Sequence, residues 1–329
     1  MSRAWQVNEL GLPWDVLQVA EVSVPEPGEG AVVIAVEATD LNFADILQCQ
    51  GQYQVKLEPP FTPGMSTGGT IVSVGAGVDL VAGQRVIGMT IGSSGGYAEH
   101  AVLATSNITV VPDDVPSLTA VGGHVPYSTT WFALHRRGQL KPEDTVLVLA
   151  AAGGVGASAV QMAKVHGCRV IAAAGGEAKV QVARDLGADV AIDYSAEDLY
   201  ARVKEETEGR GVDVVYDPVG GDYFDIARRL VAWEGRYLVV GFAAGSIPTL
   251  PANHLLVKNY SMVGVYMGGY HDFDPERIEE CNRVIYPMMA DGRLTPLVSR
   301  TVGFDDLPDA LLDLYERRSI GRILFDPRA

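Results

Sequence analysis

The chain has 329 residues, 47% of them hydrophobic and 20% charged, with a formal net charge of −16. That length accommodates two domains, each large enough for its own core. The acidic balance excludes the basic face a nucleic-acid surface needs, and no run approaches the ~18 apolar residues of a membrane span, so neither nucleic acid nor membrane is expected as a partner.

Met1 to Gln6 carries no apolar leader, and the three cysteines (Cys49, Cys168, Cys281) show no paired or metal-type spacing. Both features fit a reduced, cytoplasmic protein. Up to about residue 119 the sequence is dense in short β-type runs, at Ala31–Val36, Gly69–Val74, Gln84–Gly88 and Tyr97–Val102. Turn signals such as Pro25-Glu-Pro-Gly28 separate them, which predicts a compact β-barrel-like domain.

Past Leu118, a helical stretch to Gly138 gives way to strand and helix in alternation, with strands expected at 146–150, 169–174, 189–192, 212–216 and 236–241. Tyr260–Tyr266 is a candidate sixth strand. This alternation calls for an α/β doubly wound parallel sheet. A helix over Pro275–Asp291, a strand over Val298–Val302, a helix over Leu307–Arg317 and a last strand over Gly321–Phe325 complete the chain. Strands at both ends predict a tail that folds back onto the N-terminal domain.

The first strand of the alternating region runs into Ala151-Ala152-Gly153-Gly154-Val155-Gly156 and then a helix. A strand that turns tightly into a helix aims unpaired N–H groups and the positive dipole end at one point, which suits a pyrophosphate. Glycines let the backbone approach it. The loop therefore reads as a dinucleotide site, although alanine stands at its first glycine position. At the end of the second strand, where NAD enzymes place an acid for the ribose hydroxyls, the chain has Ala174-Gly175-Gly176. That leaves room for a 2′-phosphate, and Lys179 can supply its positive charge. NADPH is the expected cofactor. Glu177 is the discordant residue and is expected to face solvent.

An ordered series of motifs resembles the medium-chain dehydrogenase/reductase superfamily and, within it, the zinc-free quinone oxidoreductase branch. It comprises Asp40-Leu-Asn-Phe-Ala-Asp45, Gly51-Gln-Tyr53, Pro63-Gly64, Gly68-Gly69, Gly95–Glu99, Ala151–Gly156 with Gln161, Tyr216–Gly220 and Val239–Ala243. The resemblance implies a GroES-like catalytic domain (1–119 and 268–329), a Rossmann domain (120–267), an active site in the cleft between them, and a homodimer. Where zinc-dependent relatives carry Cys, His-Glu and a further ligand, this chain has Asn42, Met65-Ser66 and His124. These are poor or isolated ligands, so no metal is expected. Ser66 departs from the branch, whose members commonly have an acid there.

The resemblance also places Tyr194 against the 2′-phosphate, Gly241-Phe242-Ala243 on the nicotinamide side and Thr129 near the carboxamide, and it puts Arg322 within reach of the cofactor. The implied reaction is hydride transfer to a quinone. Asn42 and Tyr53 are the expected donors to the substrate oxygen, and Tyr127 is a further candidate lining the cleft. Two alternatives stay open. One is a reductase of α,β-unsaturated carbonyls or enoyl-thioesters, since Tyr53 stands where such enzymes carry a tyrosine. The other is a non-catalytic NADPH-binding protein.

Overall fold

The computed structural model describes residues 1–53 and 55–329 and divides them into two units. Met1–His124 and Val298–Ala329 form the first, and Val125–Leu297 the second. In chain order the strands are β1 (Ser2–Val7), β2 (Leu17–Val22), β3 (Ala31–Asp40), β4 (Ser66–Val74), β5 (Arg85–Thr90) and β6 (His100–Val110). They continue with β7 (Thr145–Leu149), β8 (Arg169–Ala174), β9 (Val190–Asp193), β10 (Val212–Asp217), β11 (Val231–Val239), β12 (Ser261–Gly264), β13 (Val298–Val302) and β14 (Arg322–Phe325).

In the first unit β3, β4, β5 and β6 pair antiparallel in turn, and β6 pairs back onto β3. The loop of strands is closed, which removes the edges an open sheet would expose. Alternate residues point inward, so Val32, Ile34 and Val36 meet Ile71, Val86 and Leu103. Close approach at the β3–β4 crossing forbids a side chain at Gly69, where a Cβ would stand 2.0 Å from the Ala35 carbonyl oxygen. β14 extends the sheet antiparallel from the far end of β3, and β13 runs parallel to β14. The tail does return to the N-terminal region. The antiparallel pair β1–β2 went unread, because Arg3 and Gln6 interrupt its apolar pattern.

In the second unit all neighbouring strands are parallel, in the order β9-β8-β7-β10-β11-β12. Chain direction across the sheet reverses between β7 and β10, the arrangement whose switch point opens a crevice at the strands' carboxyl ends. β11 starts five residues earlier than the 236 expected. Val231 already pairs with Val212, and an irregularity follows at Glu234, whose φ is +58°. Among the described residues, no helix is long and apolar enough to cross a membrane.

The division differs from the expected one at its C-terminal boundary: residues 268–297 belong to the second unit, not to the barrel. One buried helix and two long-range contacts go with this. Helix Pro275–Ala290 buries Ile278, Cys281, Ile285 and Met289. The Tyr270 ring lies 4.0 Å from that of Phe132. Thr295 exchanges two hydrogen bonds with the Gln161 amide, each 3.0 Å. The long helix expected over 118–138 is α-helical over Ser117–Trp131 and widens to a π-helical turn over Phe132–Arg137.

Candidate active site

The first loop of the second unit follows β7, whose five residues are all buried. The chain turns at Ala150 (φ +50°), the Gly153 N–H donates to the Ala150 carbonyl at 2.9 Å, and helix Gly154–Val165 begins. The first N–H groups of a helix have no partner within it, so Gly154, Val155 and Gly156 present donors at this turn. Gly156 is obligatory, because a Cβ there would stand 2.1 Å from the Ala150 oxygen. Ala151, at the first motif position, is buried and donates its N–H to Ala173 of β8 at 3.1 Å. Its methyl group is accommodated in the core, as is that of Ala152. Donor set and missing side chains fit a pyrophosphate group.

Thr130 supports this loop and was not singled out from the sequence, which pointed to its neighbour Thr129. Thr129 is half-buried, whereas the buried Thr130 hydroxyl lies 3.1 Å from the Tyr216 hydroxyl and donates to the Val155 carbonyl at 3.4 Å.

Beyond β8 comes Gly175, over which the Tyr194 ring lies so close that a Cβ would be 3.0 Å from Cε2. Gly176 follows with φ +87°, and then helix Glu177–Asp185. Tyr194 also packs on Tyr223, ring centroids 4.4 Å apart. Lys179 sits half-buried in the first turn of that helix. The Glu177 carboxylate pairs with Arg184 at 2.8 Å and is 75% exposed, so it does face solvent. A second acid, Asp193 at the end of β9, reaches this turn. It accepts from the Gly176 N–H (2.9 Å) and from the Ser195 N–H (2.9 Å) and hydroxyl (2.5 Å), which hold its pKa below the usual range.

After β10, the buried Asp217 accepts from the Val219 and Gly220 N–H groups at 2.7 and 2.9 Å and from the Tyr237 hydroxyl at 2.6 Å. Its carboxylate pins a loop against which Gly241, Phe242 and Ala243 lie: the Ala243 N–H reaches the Pro218 carbonyl at 3.1 Å. A Cβ on Gly220 would be 3.0 Å from the Phe242 ring. The motif Tyr216–Gly220 contains this aspartate, but the sequence pattern assigns it no role. All the residues expected near the cofactor in this unit, Thr129 apart, therefore sit on the carboxyl ends of β7, β8, β9 and β11.

In the first unit Asn42 heads helix Phe43–Cys49. Its N–H donates to Asp45 Oδ2 at 2.9 Å, and its Nδ2 donates to the Asp40 carbonyl at 2.9 Å. Asp45 is wholly buried and accepts also from the Tyr97 hydroxyl (2.8 Å) and the Met65 N–H (2.9 Å). Burial outweighs these three donors and pushes its pKa up to about 6. Arg322, expected within reach of the cofactor, makes its hydrogen bonds inside this unit. Its Nε donates to Asp40 Oδ1 at 2.8 Å, and its Nη2 to Asp40 Oδ2 and, at 2.7 Å, to Asn42 Oδ1. Among the described residues no three His, Cys, Asp or Glu side chains gather to hold a metal ion.

The two tyrosines part company. Tyr53 is half-buried on the loop after the Asn42 helix, its N–H on the Leu47 carbonyl at 3.2 Å. Tyr127 does not line a cleft. It is completely buried, its hydroxyl 3.1 Å from Gln161 Oε1, and burial raises its pKa well above the usual phenol value. A helical position facing helix Gly154–Val165 makes it a packing residue.

A small closed barrel and a doubly wound parallel sheet with a glycine-rich first turn define a dehydrogenase/reductase class. The alcohol dehydrogenase GroES-like domain family matches residues 28–113, and the zinc-binding dehydrogenase family matches residues 154–282. The quinone oxidoreductase-like protein 2 homolog of Nematostella vectensis is 38% identical over 329 residues, 99% of this chain and 89% of that protein. Mycobacterial Rv1454c complexed with NADPH is 32% identical at a TM-score of 0.87, covering 99% of this chain and 100% of that one. Escherichia coli quinone oxidoreductase complexed with NADPH is 27% identical, also at 0.87, with 99% and 100% covered. The chain belongs to the medium-chain dehydrogenase/reductase superfamily, in its zinc-free quinone oxidoreductase branch.

Two outcomes are expected. Tyr127→Phe loses one buried hydrogen bond, so it should cost about 1 kcal/mol in denaturant unfolding and leave turnover unchanged. A tenfold or greater fall in kcat would return Tyr127 to the active site. Because Asp45 titrates higher in the folded chain than its unfolded value of 3.8, its contribution to stability is fully present below about pH 4 and lost by about pH 6. The melting temperature of the wild type minus that of Asp45→Asn should therefore fall as pH rises across this window, and a flat difference would contradict the raised pKa.

Proposed function

We propose that the protein is an NADPH-dependent reductase that transfers hydride to quinones without zinc. The observation that carries the cofactor choice is the end of β8: Ala174 and two glycines in place of an acid, with Glu177 drawn away by Arg184. A carboxylate at that point would repel a 2′-phosphate; this helix aims none at it, and the Asp193 carboxylate of β9 is engaged by the Gly176 and Ser195 N–H groups. The acceptor class follows the relatives named quinone oxidoreductases, supported by the donor character of Asn42.

In this reading the N–H groups of Gly154, Val155 and Gly156 hold the pyrophosphate, while Lys179 and Tyr194 hold the 2′-phosphate. Gly241 to Ala243 shape the nicotinamide side. The bound NADPH supplies the hydride. Asn42 donates an Nδ2–H to the substrate carbonyl oxygen, where negative charge grows. Asn42 is no acid, so the proton that completes the quinol comes from water or from the Tyr53 hydroxyl. The half-buried phenol of Tyr53 is also what favours the alternative acceptors, enones and enoyl-thioesters, whose saturation needs a proton donor.

Lys179→Ala should weaken NADPH binding by about 1.5–3 kcal/mol and leave NADH binding nearly unchanged. Equal loss for both, measured by fluorescence titration, would remove Lys179 from the phosphate site. The function itself is tested by following NADPH oxidation in metal-free buffer with 1,4-naphthoquinone, 9,10-phenanthrenequinone, an enal and crotonyl-CoA. Quinone reduction faster than that of the other acceptors, with NADPH preferred over NADH, is expected. Preference for the enal or thioester would move the protein to the enone reductases, and tight NADPH binding without any turnover would make it a binding protein.

A further inference from the structure

Arg322 arrives at Asn42 from the last strand of the chain, 280 residues away in sequence. The pairing of Leu324 with Asp40 brings β14 beside the end of β3, and the guanidinium closes onto three oxygens there: both of Asp40 and Oδ1 of Asn42. Asp40 is completely buried, and the Arg322 side chain is 16% exposed. A buried ion pair adds little net stability, because desolvation of the two charges offsets their attraction. Its effect here lies in where it holds the guanidinium.

An asparagine amide can offer a substrate either a donor or an acceptor, depending on which way it faces. At Asn42 that choice is made by two neighbours of opposite character. A guanidinium only donates, so it must face Oδ1; the Asp40 backbone carbonyl only accepts, so it must face Nδ2, at 2.9 Å. With Oδ1 covered by the guanidinium, the amide can offer a ligand only N–H: its Nδ2 faces the Asp40 carbonyl and, beside it, the Asp40 carboxyl, so this side chain presents a donor and no acceptor. A positive charge on Oδ1 also draws electron density from the amide nitrogen and strengthens that N–H as a donor.

We propose that Arg322 is a positioning residue: held by Asp40, it locks the Asn42 amide as a hydrogen-bond donor toward a carbonyl oxygen of the substrate. The proposal deepens the quinone-reductase reading and rests on it for the identity of that oxygen. It gives Arg322 a role carried by Nε and Nη2, the two nitrogens that reach Asp40 and Asn42.

The test uses three variants. Arg322→Lys keeps the charge but lacks the planar fork that spans Asp40 and Asn42. Arg322→Met removes the fork and leaves the Asp40 charge buried and unpaired, which threatens folding. Asp40→Asn combined with Arg322→Met removes both charges together and guards against that outcome. In protein labelled with 15N at asparagine, the Asn42 side-chain amide, assigned by its disappearance in Asn42→Ala, should show two separate proton signals, with the proton bonded to the Asp40 carbonyl exchanging slowly. These should collapse toward free-amide exchange in the double variant.

Kinetically, the double variant should lose about tenfold to a hundredfold in kcat for a quinone, as expected of a misplaced catalytic donor, with KM for NADPH within about twofold. Arg322→Lys should recover part of the loss. An amide whose exchange is the same with and without Arg322 overturns the proposal, and so does a rise in KM for NADPH that accounts for the whole effect. A wild-type protein that turns over none of the acceptors overturns the functional reading alone, because the amide exchange decides the positioning without turnover.

Discussion

Helix Gly154–Val165 starts so close to the end of β7 that a Cβ on Gly156 would meet the Ala150 oxygen at 2.1 Å. Much of the second unit follows from that approach. It seats the helix directly on the strand beside the switch point of the sheet, so the helix's unpartnered N–H groups gather at the carboxyl end. Neighbouring strands then bring their own end loops to the same edge: Gly175 and Gly176 from β8, Tyr194 from β9, Asp217 to Gly220 from β10 and Gly241 to Ala243 from β11. The loops are held by buried groups beneath them. The Asp217 carboxylate satisfies two backbone N–H groups and the Tyr237 hydroxyl, and Thr130 bridges Val155 and Tyr216.

The first unit solves a different problem. It must hold one short polar side chain, Asn42, in a fixed attitude at the mouth of a helix. Two acids do so from two directions: Asp45 through the Asn42 backbone N–H, and Asp40 through Arg322 and through its own carbonyl. Both carboxylates are wholly buried, and burial raises the pKa of each, against the pull of Arg322 on Asp40 and of three hydrogen bonds on Asp45. Keeping such groups inside a small barrel is costly unless each is fully partnered. The partners come from the Asn42 helix, the loop at Met65, Tyr97 and the last strand, so the asparagine's position draws on much of the unit.

The fold class, the strand and helix alternation of the second unit and the glycine turn are legible in the residue pattern, because strand and helix periods and missing side chains are local properties of the chain. Glu177 was read correctly as solvent-facing for a local reason too, its place in the first turn of a helix. What the tertiary structure decided were matters of partner. Tyr127 looks the same in sequence whether it lines a cleft or packs; only its burial against Gln161 chose packing. For Arg322 the chain pattern points only toward the cofactor; the pairing of β14 with β3 is what brings it onto Asp40 and Asn42. Residues 268–297 join the second unit through contacts of Tyr270 with Phe132 and of Thr295 with Gln161, residues more than 100 positions earlier. Thr130 and Asp217 carry no role in the sequence pattern because a buried hydroxyl or carboxylate is defined by the groups around it. Periodicity along a chain fixes which segments form; which polar atoms meet depends on distant segments, and that is set only when the chain packs.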